Sequence, residues 1–187
     1  MNKIVIEPTV TAQWQALVNE AEANAKLQLD ETLESYLVFT LMRFTQRPEL
    51  TSSILALEFL DGIQQHGQQQ HDTLRDVGDK CLLLSGLFPH TARRRLVSLG
   101  YFVNLGRGAY QQLHDKIHGL YGQLAADFIP MMDVLHAIRE INRESRQIDL
   151  LDSFELWEDT GSQRALERIK SASRTAQPVK HDSDTRH

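Results

Sequence analysis

The chain has 187 residues, enough for one domain with a full hydrophobic core. Hydrophobic residues make up 41% and charged residues 24%, the balance of a soluble globular protein, and a net charge of −5 argues against nonspecific nucleic-acid binding, which runs on a basic surface. One cysteine excludes an internal disulfide framework, and no apolar stretch reaches the length of a membrane span, so the expected location is a reducing cytoplasm.

Residues 1–9 read as an extended N-terminal arm. Its apolar run Ile4, Val5 and Ile6 is too short for a signal peptide, and Pro8 stops it. Thr11 is the expected cap of a first helix carrying Trp14, Leu17, Val18, Ala21 and Ala25 at helical spacing. Asp30 caps a second, whose stripe is Leu33, Leu37, Thr40, Leu41 and Phe44, with a break at Pro48. A third helix is expected over about 51–65, with Ile54, Leu57 and Leu60 turned inward. The polar, glutamine-rich stretch 62–70 reads as a loop or frayed connection.

The organising element follows at about 72–88. Cys81, Leu82, Leu83, Leu84, Leu87 and Phe88 make it apolar on every side, the mark of a buried central helix. Phe88-Pro89 ends it, because the residue before proline resists helical geometry. A fifth helix, with an interruption expected near Gly100, carries Leu99, Phe102, Val103, Gly106, Tyr110, Leu113, Ile117 and Leu120 on one face. Gly106 falls on that face, which suits a close approach of two helices. A sixth carries Leu124, Phe128, Met131, Leu135 and Ile138, with Pro130 expected to kink it or begin a new segment. The last ordered part, about 148–172, shows Ile148, Leu151, Phe154 and Trp157, then Leu166 and Ile169 after Gly161. Residues 173–187 read as a disordered tail. The expectation is an all-α, single-domain bundle of about six to eight helices over 10–172.

The pattern Gly78-Asp79, Leu84-Ser85-Gly86-Leu87-Phe88, Arg94-Arg95, Tyr101-Phe102, Gly106 and Ala109-Tyr110, with Leu124-Ala125, Phe128 and Val134-Leu135, resembles an uncharacterised family of bacterial all-helical proteins. The resemblance covers roughly residues 30–142. It implies a bacterial cytoplasmic helical protein and no activity; Gly78, Asp79, Gly86, Gly106 and Tyr110 are expected to be structural.

Candidate chemistry is sparse. His114 and His118 share a helix face, as do His136 and Glu140, and the four together could form a metal site between adjacent helices. No Glu-x-x-His or His-Glu-x-x-His motif supports this, so the expectation is no metal and no cofactor. Gly106-Arg107-Gly108 is a fragment of a phosphate loop with no strand before it. No Gly-x-Ser-x-Gly elbow occurs, and Cys81 lies in an apolar run. Arg93, Arg94 and Arg95 form the one dense basic cluster, the candidate binding site for an acidic partner, a phosphate or nucleic acid. Asp79, at the edge of the apolar run, needs a cation if buried. Arg94 or Arg95 across the Pro89 turn is the expected partner, with Arg75 as the local rival. The reading leans away from an enzyme. It favours a regulatory or structural protein acting through an unidentified protein partner, a homodimer included. The alternative is a helical pocket protein binding a small ligand or metal, catalysis included.

Overall fold

The computed structural model describes residues 9–45, 54–90, 97–113, 119–141 and 150–175. Every regular element among them is helical: α1 (Val10–Ala25), α2 (Glu31–Thr45), α3 (Leu55–Gln64), α4 (Gly67–Leu87), α5 (Leu99–Leu113), α6 (Leu120–Ala126), α7 (Phe128–Ile141), α8 (Leu150–Thr160) and α9 (Gln163–Thr175). Nine helices among the described residues exceed the six to eight expected. The extra boundaries come from local breaks. Gly119 and Gly161 adopt positive φ, of 74° and 71°, and the chain also breaks at Asp127, between α6 and α7. Pro130 sits in the first turn of α7, where a missing N–H leaves no intrahelical bond unmade, so it opens a segment rather than kinking one.

The chain divides into two compact units, Met1–Gln147 and Ile148–His187. In the first, α4 is the hub and packs most extensively on α5, then on α3 and α7, while α1 packs on α7 and α2. From Leu74 onward α4 buries Leu74, Val77, Gly78, Asp79, Cys81, Leu82, Leu83, Leu84, Ser85 and Gly86, so its second half is enclosed on all sides. Three glycines allow the close packing. A Cβ on Gly78 would strike the ring of Tyr110, one on Gly86 would strike Leu135, and one on Gly106 would come 2.7 Å from the Cys81 Cβ and 2.6 Å from the Phe128 ring. The contact of α4 with α5 therefore depends on missing side chains on both helices.

Several local expectations change. Thr9, not Thr11, caps α1, its Oγ1 accepting from the Ala12 N–H at 3.2 Å. Asp30 caps α2, accepting from the Thr32 N–H at 2.9 Å. The expected loop over 62–70 shrinks to Gln65 and His66, so α4 begins at Gly67 rather than near 72. The break expected near Gly100 falls just before it: Val97 and Ser98 are not helical, and α5 starts at Leu99. The expected phase of α3 is reversed. Leu55 and Gly62 are buried, whereas Ile54 is 64% exposed, Leu57 54% and Leu60 48%. Gly62 approaches α4 so closely that a Cβ would lie 2.8 Å from Leu74. The helix thus turns Gly62 inward with Leu55, and Leu57, Leu60 and Ile63 outward.

The second unit is a hairpin of α8 and α9 joined by Gly161 and Ser162. Ser162 caps α9, its Oγ accepting from the Ala165 N–H at 3.1 Å. The buried residues are Ser153, Leu156, Ser162 and Ala165. Leu151 and Phe154 are exposed. Helix α9 continues through Thr175, past the expected tail boundary at 173, and the rest of that tail lies outside the described residues, as does the N-terminal arm before Thr9.

Candidate functional site

Asp79 is the most constrained polar group of the first unit. It is 2% exposed, on the α4 face that meets α5. Its Oδ1 accepts two phenolic hydroxyls, from Tyr36 of α2 and Tyr110 of α5, each at 2.6 Å. Its Oδ2 accepts from the Arg43 guanidinium of α2. Arg43 also lies 3.2 Å from the Asp76 carboxylate, one turn earlier on α4. One carboxylate therefore fastens three helices, with donors at both oxygens. The cation is Arg43. Of the partners expected from sequence, Arg75 contacts Asp76 at 3.8 Å instead, and Arg94 and Arg95 lie outside the described residues with Arg93.

Burial raises the Asp79 pKa above the ordinary carboxylate value, and Arg43, Tyr110 and Tyr36 work against that rise. The two tyrosines are held well above the ordinary phenol value, first by burial and then by the neighbouring Asp79 charge. A hydroxyl that must donate to a carboxylate does not serve as a phenolate nucleophile. The arrangement is chemically a lock: its donors and acceptors are committed to one another, and it offers no open acid or base.

Around it lies an aromatic cluster. The Tyr110 ring stands 6.4 Å from Tyr36, 6.0 Å from Tyr121 and 6.0 Å from Phe128, in edge or tilted contacts. The Tyr121 hydroxyl and His71 Nε2 are 3.0 Å apart, and His71 Nδ1 is 3.3 Å from Asp72. Tyr36, Arg43, Tyr121 and His71 were not singled out by sequence. Tyr36 and Arg43 are seven residues apart on α2 and so share a face, which was the available signal.

The remaining candidates are dispersed. His136 is buried, its Nε2 donating to the Ser85 carbonyl at 2.9 Å, with Nδ1 3.9 Å from Asp133. The carbonyl can only accept, which places a proton on Nε2 and takes that nitrogen away from a metal. Glu140 lies one turn further on α7, partly exposed, while His114 and His118 lie outside the described residues. Among the described residues no three His, Cys, Asp or Glu side chains are grouped to hold a metal ion. Arg107, from the phosphate-loop fragment, donates through Nε to the Ala125 carbonyl at 3.0 Å, closing the last turn of α6. Burial pushes the Cys81 thiol up, away from reactivity. No described helix is long and apolar enough to cross a membrane.

The surface carries the other notable feature. On α3, Ile54 at the cap, Leu57, Leu60 and Ile63 are all more than 40% exposed. Three-residue spacing makes them a slanting strip along the outer side of the helix. Residues 55–64 contain no Lys or Arg, and the acids are Glu58, paired with Lys80 of α4 at 2.7 Å, and exposed Asp61.

No protein-family model matches the chain, no curated protein matches it, and no solved structure matches it. Function has to be read from the chain's own side chains.

Proposed function

We propose that this is a regulatory or structural protein that works by holding a protein partner on the outer face of α3. The observation that carries the proposal is the strip Ile54, Leu57, Leu60 and Ile63, four large apolar side chains left in water on a helix whose other side is well packed. Keeping such side chains exposed lowers solubility and does nothing for the core, so a partner that covers them is the natural reason for their presence. The edge of the strip is acidic, with Asp61 exposed and no cation on the helix. The fitting occupant is an amphipathic helix whose apolar stripe is bordered by Lys or Arg. A net charge of −5 favours protein over nucleic acid as the partner. The free, buried Cys81 suits a reducing cytoplasm, and the resemblance over residues 30–142 would place the protein among bacterial helical proteins.

The test compares capture by the tagged full chain with capture by its Leu57→Glu/Leu60→Glu variant, in extract of the source cells. Both proteins should have the same helical circular dichroism, since both positions are exposed. The expected result is a partner held by the wild type, lost by the double variant and weakened by Asp61→Lys. Identical capture by wild type and double variant, or no specific capture by either, would refute the reading.

A further inference from the structure

The second unit poses a separate physical problem. A hairpin of two helices of 11 and 13 residues is too small to be stable on its own core, and chains of this size commonly rely on oligomerisation or another staple. Only Ser153, Leu156, Ser162 and Ala165 are buried in it. Meanwhile α8 leaves Leu150 52% exposed, Leu151 62% and Phe154 45%, and half-buried Trp157 continues the stripe, its ring 5.9 Å from that of Phe154.

The charges on this hairpin are sorted. Helix α8 carries Asp152, Glu155, Glu158 and Asp159 and no Lys or Arg, whereas α9 carries Arg164, Arg168, Lys170 and Arg174 against the single acid Glu167. Among them Glu155, Glu158 and Asp159 are exposed toward the connection, and Lys170 and Arg174 are exposed toward the open end. The outer surface is therefore acidic at one end and basic at the other, with the apolar stripe along α8. Such a surface is self-complementary when a second copy is turned end for end, which is the geometry of a two-fold axis.

We infer that α8 is a homodimer interface, in which two copies of the hairpin pair antiparallel into a four-helix bundle. The register follows from counting. With the axis at Phe154, that ring meets its own counterpart, and Leu151 of each copy lies opposite Trp157 of the other. The two-residue connection sets Lys170 level with Ser153, and Arg174 just beyond Leu150. Across the axis these levels fall beside Glu155 and Asp159 of the second copy. Hydrophobic closure and charge pairing therefore select the same register, and the two-fold symmetry makes each pairing twice. This interface is independent of the α3 surface.

Sedimentation equilibrium of the full chain tests it. The wild type should be a dimer. Leu151→Asp/Phe154→Asp should be a monomer, while Leu57→Glu/Leu60→Glu on α3 should remain a dimer. A charge exchange gives the sharper reading. Lys170→Glu/Arg174→Glu sets acid against acid in its own dimer, and Glu155→Lys/Asp159→Lys sets base against base. Each should associate at least tenfold more weakly than the wild type, and an equimolar mixture should recover wild-type affinity as a heterodimer. A monomeric wild type, a dimer that survives Leu151→Asp/Phe154→Asp or dissociates on the α3 substitutions, or a mixture that fails to recover would each overturn the inference.

Discussion

Replacing Asp79 with alanine removes the one group on which α2, α4 and α5 converge, and the cost can be worked donor by donor. Tyr110 is fully buried, so its hydroxyl loses its acceptor with no water to replace it, a penalty of about 1–3 kcal/mol. Tyr36 is half-buried and can turn toward solvent, so its loss is smaller. Arg43 has a side chain 33% exposed and keeps Asp76 at 3.2 Å, so its guanidinium is not stranded. Against these losses, a desolvated carboxylate disappears, which recovers part of the energy. The net should be about 1–3 kcal/mol, below the ~3–5 kcal/mol of a fully buried ion pair broken on one side. Urea unfolding followed by circular dichroism measures it, provided the m-value is unchanged. A loss below about 1 kcal/mol would mean that the cluster is a surface pair in effect, and would refute the lock.

The network reading makes a second demand on the same experiment. Tyr110→Phe alone removes one hydrogen bond to a charged acceptor, at about 1.5–3 kcal/mol. In the double variant Tyr110→Phe/Asp79→Ala the Tyr110 hydroxyl is no longer there to be orphaned, so the double loss should fall short of the sum of the singles by about 1 kcal/mol or more. Strict additivity would show that the hydroxyl and the carboxylate do not act on each other.

Two further outcomes follow from the packing and from the Asp79 titration. Gly106→Ala should destabilise by about 1–3 kcal/mol in the same urea assay, because overpacking against Cys81 and Phe128 outweighs the ~1 kcal/mol that alanine gains over glycine as a helix former; a more stable variant would show that α4 and α5 separate at little cost. Since the folded Asp79 pKa lies above its unfolded value, the folded state holds more protons between the two, and this group's contribution to stability falls as pH rises through that window. The stability gap between wild type and Asp79→Asn should therefore widen as pH is lowered from 7 toward about 4, near the unfolded Asp value; a gap that narrows on acidification would reverse the assigned direction.

Elements with one dominant apolar face were legible in the sequence. The stripe of α2 through Leu33, Leu37 and Leu41, and that of α5 through Phe102, Val103 and Tyr110, have the expected phase, and these residues are buried. The enclosed half of α4 followed from its all-round apolarity. Helix α3 shows where periodicity stops helping. Its ten residues hold two apolar faces, one with Leu55, Phe59 and Gly62, the other with Leu57, Leu60 and Ile63 after Ile54. Residue bulk favours the second face, but the space beside Leu74 accepts only the first, because Gly62 alone can approach that closely. That constraint belongs to the partner helix and is invisible in the window. The need of Asp79 for a cation was likewise readable from its apolar setting. The identity of that cation was not, since Arg43 lies 36 positions away and nothing local marks the pair. Arg94 and Arg95, the partners expected across the Pro89 turn, lie outside the described residues.

The interior polar groups and the exposed apolar groups make one argument together. Asp79, Tyr36, Tyr110, His136 and Arg107 all have internal partners, on α2, α4, α5, α6 or α7. Their hydrogen bonds orient helices and stabilise a single packing, which is what buried networks do when both sides are satisfied. Among the exposed large apolar side chains of the described residues, two sets stand out: Ile54, Leu57, Leu60 and Ile63 on α3, and Leu150, Leu151 and Phe154 on α8. Each set lies along a single helix at helical spacing, so each presents a continuous line rather than scattered points. A rigid interior that fixes α3, and a hairpin too small to close on itself, are both suited to contact with other chains. The two surfaces also differ in sign. The border of α3 carries the exposed acid Asp61 and suits a basic partner, whereas the hairpin carries both signs in an order that matches its own reverse. That difference is why one surface is assigned to a different protein and the other to a second copy of this one.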